Sequence, residues 1–281
     1  MNKKPFISND NQKRKGLPYM RTWILSIMAL LLVLFAAEPL LLQAEDKKEE
    51  GRLPSHVLNI SKDNTYPNST EDQVVLEPSE LTDELLKEAE VKITNPQLIE
   101  LLNETNLKPS PLAIGYRGEV YLGKWPLNYT SKETSINWEY QHINTNELNN
   151  QASQQTEKMN YLQKDEKHIK GGLTAKIDTP DQVKRMLLLE AQNNTNLPLS
   201  FHTVVGSGTK QQNTYAVPSK KIGSLQAYAP AVNEKGTVAF GEVYIQLKGS
   251  KKQLIVKNIK KQGIGAWIPI QDHVSYSFQL K

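Results

Sequence analysis

Beyond Leu112 the hydrophobic pattern repeatedly has a period of two, and that period commits most of the chain to half-buried β-strands. Ile114, Tyr116, Val120 and Leu122 alternate with Gly115, Arg117, Glu119 and Tyr121. Ile136, Trp138, Tyr140 and His142 alternate with Asn137, Glu139, Gln141 and Ile143, which puts His142 on an apolar side as a core histidine. Between Thr237 and Lys248, Ala239, Val243, Ile245 and Leu247 share one face, opposite Phe240, Glu242, Tyr244, Gln246 and Lys248. A four-residue turn, Gly249 to Lys252, predicts a hairpin with Gln253–Ile259 in which Leu247 meets Leu254, Ile245 meets Val256 and Tyr244 lies beside Lys257. From Asp272 to Leu280 the inward residues are Val274, Tyr276, Phe278 and Leu280, with His273 on the solvated face.

Helical spacing occurs in three places. Leu81, Leu85, Leu86 and Ala89 share a face, and Asn95-Pro96 caps a second helix over Gln97–Asn103. Thr179-Pro180-Asp181-Gln182 has the order of a capping box and starts a third helix that runs to about Gln192. Asn144–Lys158, rich in Asn and Gln, is expected to be a long surface loop. Short strands are expected at Met159–Gln163 and Leu173–Ile177, the latter after a turn at Gly171-Gly172. The class is α+β, with a largely antiparallel sheet built from hairpins and about three helices, behind an N-terminal signal or anchor segment.

That segment spans residues 1–44. A basic stretch, an apolar run from Trp23 to Ala37, the breaker Glu38-Pro39 and the small residue Ala44 follow the order of a secretory signal cleaved between Ala44 and Glu45. The alternative is retention as a single membrane anchor. Residues 45–78, punctuated by Pro54, Pro67 and Pro78, form a polar extended tether with one extended piece at Ser55–Ile60, and residues 79–281 form the extracytoplasmic domain.

Composition narrows the function. The chain has no Cys, so it has neither a disulfide framework nor thiolate chemistry. The net charge of +4 resides in the leader, which holds six basic and two acidic residues and leaves 28 of each behind it. A nucleic-acid partner is therefore not expected. Residues 45–112 are acidic and 113–281 basic. No nucleophile elbow, zinc-protease helix, Walker loop or dinucleotide fingerprint is present, so no cofactor is expected. Ser207 and Lys210 have nucleophile-and-base spacing, but flanking glycines assign them to a strand-end turn. Gly263–Trp267 is expected to be a bulge or bend. The five histidines show no pair at ligand spacing, so no metal is expected. Glu119, Glu139 and Glu242 are the carboxylates that a hydrolytic site would have to assemble. The triplets at Asn59, Asn68, Asn103, Asn128 and Asn193 are expected by chance in an Asn-rich chain.

Several segments are distinctive: Ser110-Pro-Leu-Ala-Ile-Gly-Tyr116, Tyr121-Leu-Gly-Lys-Trp-Pro-Leu-Asn-Tyr129, Asn137-Trp-Glu-Tyr140, Gly171-Gly-Leu-Thr-Ala-Lys176, Ala227 to Gly236, and Gly263 to His273. With Leu53–Ile60 behind the leader, they resemble the YfkD-like family, exported and functionally uncharacterised proteins of bacilli. The resemblance implies the compartment and source, and supplies no catalytic residues. What remains is a cluster of bases without an acid. Lys251, Lys252, Lys257, Lys260 and Lys261 are candidates for docking an anionic envelope polymer or acidic lipid. The leading expectation is thus a non-enzymatic envelope binding module. The alternatives are a carboxylate-dependent cell-wall hydrolase and an accessory subunit meeting a membrane-protein partner.

Overall fold

The computed structural model describes residues 53–69, 76–105, 107, 110, 112 and 115–281. The leader and the expected cleavage site at Ala44 and Glu45 lie outside the described residues. Among the described residues no helix is long and apolar enough to cross a membrane.

In chain order the elements are β1 (Val57–Asn59), α1 (Glu80–Glu88), α2 (Pro96–Glu104), β2 (Arg117–Asn149), β3 (Glu157–Leu162), β4 (Lys167–Lys170), β5 (Gly172–Leu173), α3 (Pro180–Thr195), β6 (His202–Val205), β7 (Lys210–Val217), β8 (Ile222–Lys248), β9 (Lys251–Pro269) and β10 (His273–Leu280). Every strand pairing is antiparallel, and the class is α+β. β8 is the axis. Along one edge it carries β2 for its whole length; along the other it carries β10 at 223–228 and then β9 at 231–248. β1 extends the sheet beyond β10 and β5 beyond β9, while β3–β7 and β4–β6 form two separate ribbons. Residues 53–69 pack onto this frame, with Asn64 and Asn68 both donating to Asp272 Oδ1 at 2.8 and 2.7 Å.

β2 is one strand of 33 residues that joins the two expected strands and takes in the start of the expected Asn144–Lys158 loop, of which residues 150–156 remain a loop. Backbone pairing with β8 continues through Asn149, and the polar side chains find partners: Asn144 Nδ2 and Asn146 Nδ2 donate to Leu162 O at 2.7 and 3.0 Å. Polarity is no barrier to a strand whose hydrogen bonds are all met. β2 breaks register at five points, two of them flanking Gln141–His142. A bulge adds a residue and shifts the alternation. His142 is consequently exposed, bonded to Thr145 Oγ1, and Ile143 is buried in its place.

Other expectations change for equally local reasons. The capping box does not form. Thr179 adopts the left-handed region (φ 48°, ψ 59°), its hydroxyl donates to Asp178 O, and Gln182 accepts from Asn95 Nδ2. The left-handed conformation departs from the extended one that both a helix cap and a following proline favour, and only the Thr179 carbonyl still caps, accepting from Val183 N. The β8–β9 turn has two residues, Gly249-Ser250, with φ +58° at the glycine, as a type II′ turn requires. The register therefore differs by two: Leu247 faces Lys252, Ile245 faces Leu254 and Tyr244 faces Ile255. An even shift preserves the faces. Gly263–Trp267 is regular strand, and the bulge instead falls between Phe240 and Glu242, opposite Asn258 at φ 54°. Of the expected Leu173–Ile177 strand only Leu173 pairs, together with Gly172 of the expected turn. His273 is buried, with Nδ1 against Gln271 O at 2.6 Å, while Leu280 is 45% exposed at the strand end.

Three apolar clusters hold the frame. α3 covers Val232, Val238, Phe240 and Ile264. A second cluster joins Ile60, Tyr161, Leu225 and Tyr276. α1 and α2 cover Val243, Ile245 and Leu254 through Leu86, Leu98 and Leu102. Since α1 and α2 take the odd-numbered face of the β8 tip, Glu242, Tyr244 and Gln246 face the other way, uncovered by any described helix and only half-buried.

Candidate functional site

That uncovered face is arranged in cross-strand rungs, because directly paired antiparallel residues point to the same side. Nearest the turn, Arg117, Lys248 and Lys251 lie directly opposite one another on β2, β8 and β9. All three are exposed, and among the described residues none has an ion-pair partner. The next rung is Glu119, Gln246 and Gln253, and the one after it Tyr121, Tyr244 and Ile255. Then Lys124, Glu242 and Lys257 align. Like charges directly opposite destabilise a sheet, so the first rung has a cost that folding alone does not explain.

The inner rungs are knitted together. The Tyr121 and Tyr244 rings are 5.0 Å apart at 41°, and Lys257 Nζ sits 4.6 Å from the Tyr244 centroid. Lys257 Nζ also reaches Glu119 Oε2 at 2.6 Å, and Gln246 Nε2 donates to Glu119 Oε1 at 3.0 Å. The hydrogen bond from Lys257, followed by that from Gln246, holds the Glu119 carboxyl below its usual range, and the bond to Glu119 raises the Lys257 ammonium. Glu242 Oε2 accepts from Tyr244 Oη at 3.1 Å and from Asn258 Nδ2 at 2.8 Å. Desolvation, helped by Glu242, raises the Tyr244 phenol.

The five candidate lysines share β9 but are split between its faces. Lys251 and Lys257 are on the open face, the latter neutralised by Glu119. Lys252 is on the face toward α1, beside Glu84, Leu85 and Glu88, where burial lowers its pKa. Lys260 faces Phe240 and Lys261 faces Ala239, on opposite sides of the strand, and both are exposed. Arg117, Tyr121 and Lys248 complete the open face. The period-two reading by itself puts Lys248 on this face; Arg117 and Tyr121 come only from the β2–β8 register, which that reading leaves open.

The carboxylates do not assemble. Glu119 and Glu242 are each occupied by fixed donors, and Glu139 lies farther along β2 beyond Asn137. A general acid needs a raised pKa, whereas that of Glu119 is lowered. Ser207 Oγ donates to Lys164 O in the β6–β7 turn. The fold does unite two histidines: His168 Nδ1 and His202 Nε2 are 3.1 Å apart on β4 and β6, with Glu166 Oε1 2.9 Å from His168 Nε2. Among the described residues, no group of three or more His, Asp or Glu could hold a metal. A cavity of about 510 Å³ between α3 and β2 is lined by Lys92, Tyr129, Met186 and Glu190. Behind it the buried Glu234 accepts from Tyr129 Oη at 2.8 Å and Thr134 Oγ1 at 2.6 Å.

Together these features define an antiparallel α+β protein with a polar-aromatic sheet face that no described helix covers. The chain belongs to the YfkD-like protein family, which it matches over residues 54–281. It is 55% identical over 233 residues to "Uncharacterized protein YfkD" of Bacillus subtilis (strain 168), covering 83% of this chain and 88% of that protein. A crystal structure of lamprey immune protein superposes with a TM-score of 0.25 at 7% identity, over 58% of this chain and 53% of that one, too slight a likeness to carry an argument.

Proposed function

We propose that the protein is an exported, non-enzymatic binding module that docks on an anionic polymer of the cell envelope through the open face of the β2–β8–β9 tip. The observation that carries this reading is the Arg117–Lys248–Lys251 rung, three exposed cations aligned without an acid. Binding a polyanion there relieves their mutual repulsion and releases counterions. Lys260, opposite Phe240, adds an exposed cation farther along β9, while Lys261 points to the other side of the strand. The leader's basic, apolar and small-residue order supports export. The fixed donors on Glu119 and Glu242, with the Glu119 carboxyl held below its usual range by Lys257, favour binding over hydrolysis.

Cosedimentation of the full chain with purified anionic wall polymer, at low and high salt, tests it. Exposed charges are screened within about 8 Å at physiological ionic strength, so binding is expected to fall steeply with salt. Reversal of Arg117, Lys248 and Lys251 to Glu is expected to abolish it, with the circular dichroism spectrum unchanged. No binding at low salt, or binding indifferent to both salt and reversal, overturns the reading. Anionic vesicles replacing the polymer with equal salt and variant dependence would reassign the face to lipid.

A further inference from the structure

The same face contains acids where a surface for a uniform polyanion would not. Glu119 lies one rung from the cations, and Glu242 stands between Lys124 and Lys257. A polymer with a charge at every repeat would meet these carboxylates immediately after the cation rung. Between the two carboxylates lies the aromatic rung. Tyr121 is 55% exposed, its ring close to that of Tyr244, in the middle of a face that no described element covers. Folding gains little from a tyrosine left that open. Around the two rings, Glu119, Gln246, Glu242, Asn258 and Lys257 hold one another in fixed positions and still have free lone pairs and N–H groups.

Resting on the binding reading above, we propose that the Tyr121–Tyr244 rung is a stacking subsite for a sugar ring, and that the ligand is an anionic glycan whose charges are separated by neutral rings. The aliphatic face of a pyranose lies on the exposed Tyr121 ring, which Tyr244, itself under Lys257, supports from beside it; the sugar hydroxyls meet the surrounding carboxylates and amides, and an acidic group farther along the chain reaches Arg117, Lys248 and Lys251. The aromatic and cation rungs are four residues apart on β8, about 13 Å at 3.3 Å per residue, so ring and charge belong to different units of one polymer. The charge pattern disfavours a dense polyphosphate. The hydrogen-bonded carboxylates and amides around the rings suit sugar hydroxyls better than an acyl chain.

Gel retardation of the full chain in hyaluronan, polyphosphate and dextran separates the outcomes. Hyaluronan, with one carboxylate per disaccharide, is expected to retard the protein more than polyphosphate, and dextran to retard it least. Tyr121→Ala is expected to weaken hyaluronan binding at least about tenfold and polyphosphate binding less than about twofold, while Tyr121→Trp retains both. Because Tyr121 is exposed, the variant's fold is checked by an unchanged thermal midpoint. Indifference of hyaluronan binding to Tyr121→Ala, or preference for polyphosphate, overturns the glycan inference and leaves the polyanion reading standing. Dextran bound as tightly as hyaluronan would retain stacking but sink the anionic ligand. No retention of the wild type by any polymer at low salt overturns both.

Discussion

Single residues decide where this chain departs from its simplest reading. Thr179 occupies a left-handed conformation that a β-branched side chain adopts at a cost of roughly 1–3 kcal/mol, and its hydroxyl satisfies no helix amide. Thr179→Ala is therefore expected to leave the urea midpoint nearly unchanged, where loss of a true cap would lower stability by about 1 kcal/mol. Thr179→Gly is expected to raise stability by up to about 1 kcal/mol, since only glycine is unstrained there. A midpoint that falls in both variants would show that the hydroxyl does cap. Glu119 offers a second residue-level test. Its carboxylate holds Lys257 at 2.6 Å, so Glu119→Gln frees one more cation on the open face. Polyanion affinity is expected to rise, and its salt dependence to steepen, in the cosedimentation assay.

At the scale of elements, long strands replace the short hairpins of a typical sheet. β2 and β8 run 33 and 27 residues and tolerate such length because bulges bend them and α1, α2 and α3 cover successive stretches. Leu187 of α3 is fully buried over this sheet, so Leu187→Ala is expected to cost about 2–5 kcal/mol, read from the urea midpoint. Deep in the same layer Glu234 depends on two neutral donors. Tyr129→Phe removes one of them and leaves a buried oxygen short of a partner, at an expected cost of about 1–3 kcal/mol. A Tyr129→Phe protein as stable as wild type would mean that water reaches Glu234 from the adjacent cavity.

The whole molecule responds to alkali through its buried phenols. Burial raises Tyr129, Tyr161 and Tyr276 above the ordinary tyrosine range, with Glu234 adding to the shift at Tyr129. The folded state thus keeps protons that the unfolded chain releases. Their contribution to stability is complete below about pH 10 and is lost as pH rises beyond it, at up to about 1.4 kcal/mol per pH unit for each phenol. Urea midpoints measured at rising pH, with phenolate absorbance followed alongside, are expected to show unfolding and ionisation together. Ionisation of these tyrosines in a still-folded protein would refute it. Local pattern alone determined the α+β class, the three helices, the odd and even faces of the β8 tip and the basic character of its end, because period and capping chemistry act over a few residues. The faces survived even a wrong hairpin register, since an even slip moves no side chain across the sheet. Only the tertiary structure decided which strand lies beside which. Pairing β2 with β8 set Arg117 against Lys248 and Tyr121 against Tyr244 across more than a hundred residues. The same pairing brought Glu119 to Lys257, and bulges exposed His142 while chain packing buried His273. Backbone hydrogen bonding supplies that pairing and is blind to side-chain identity, so the face it builds is not written in either strand.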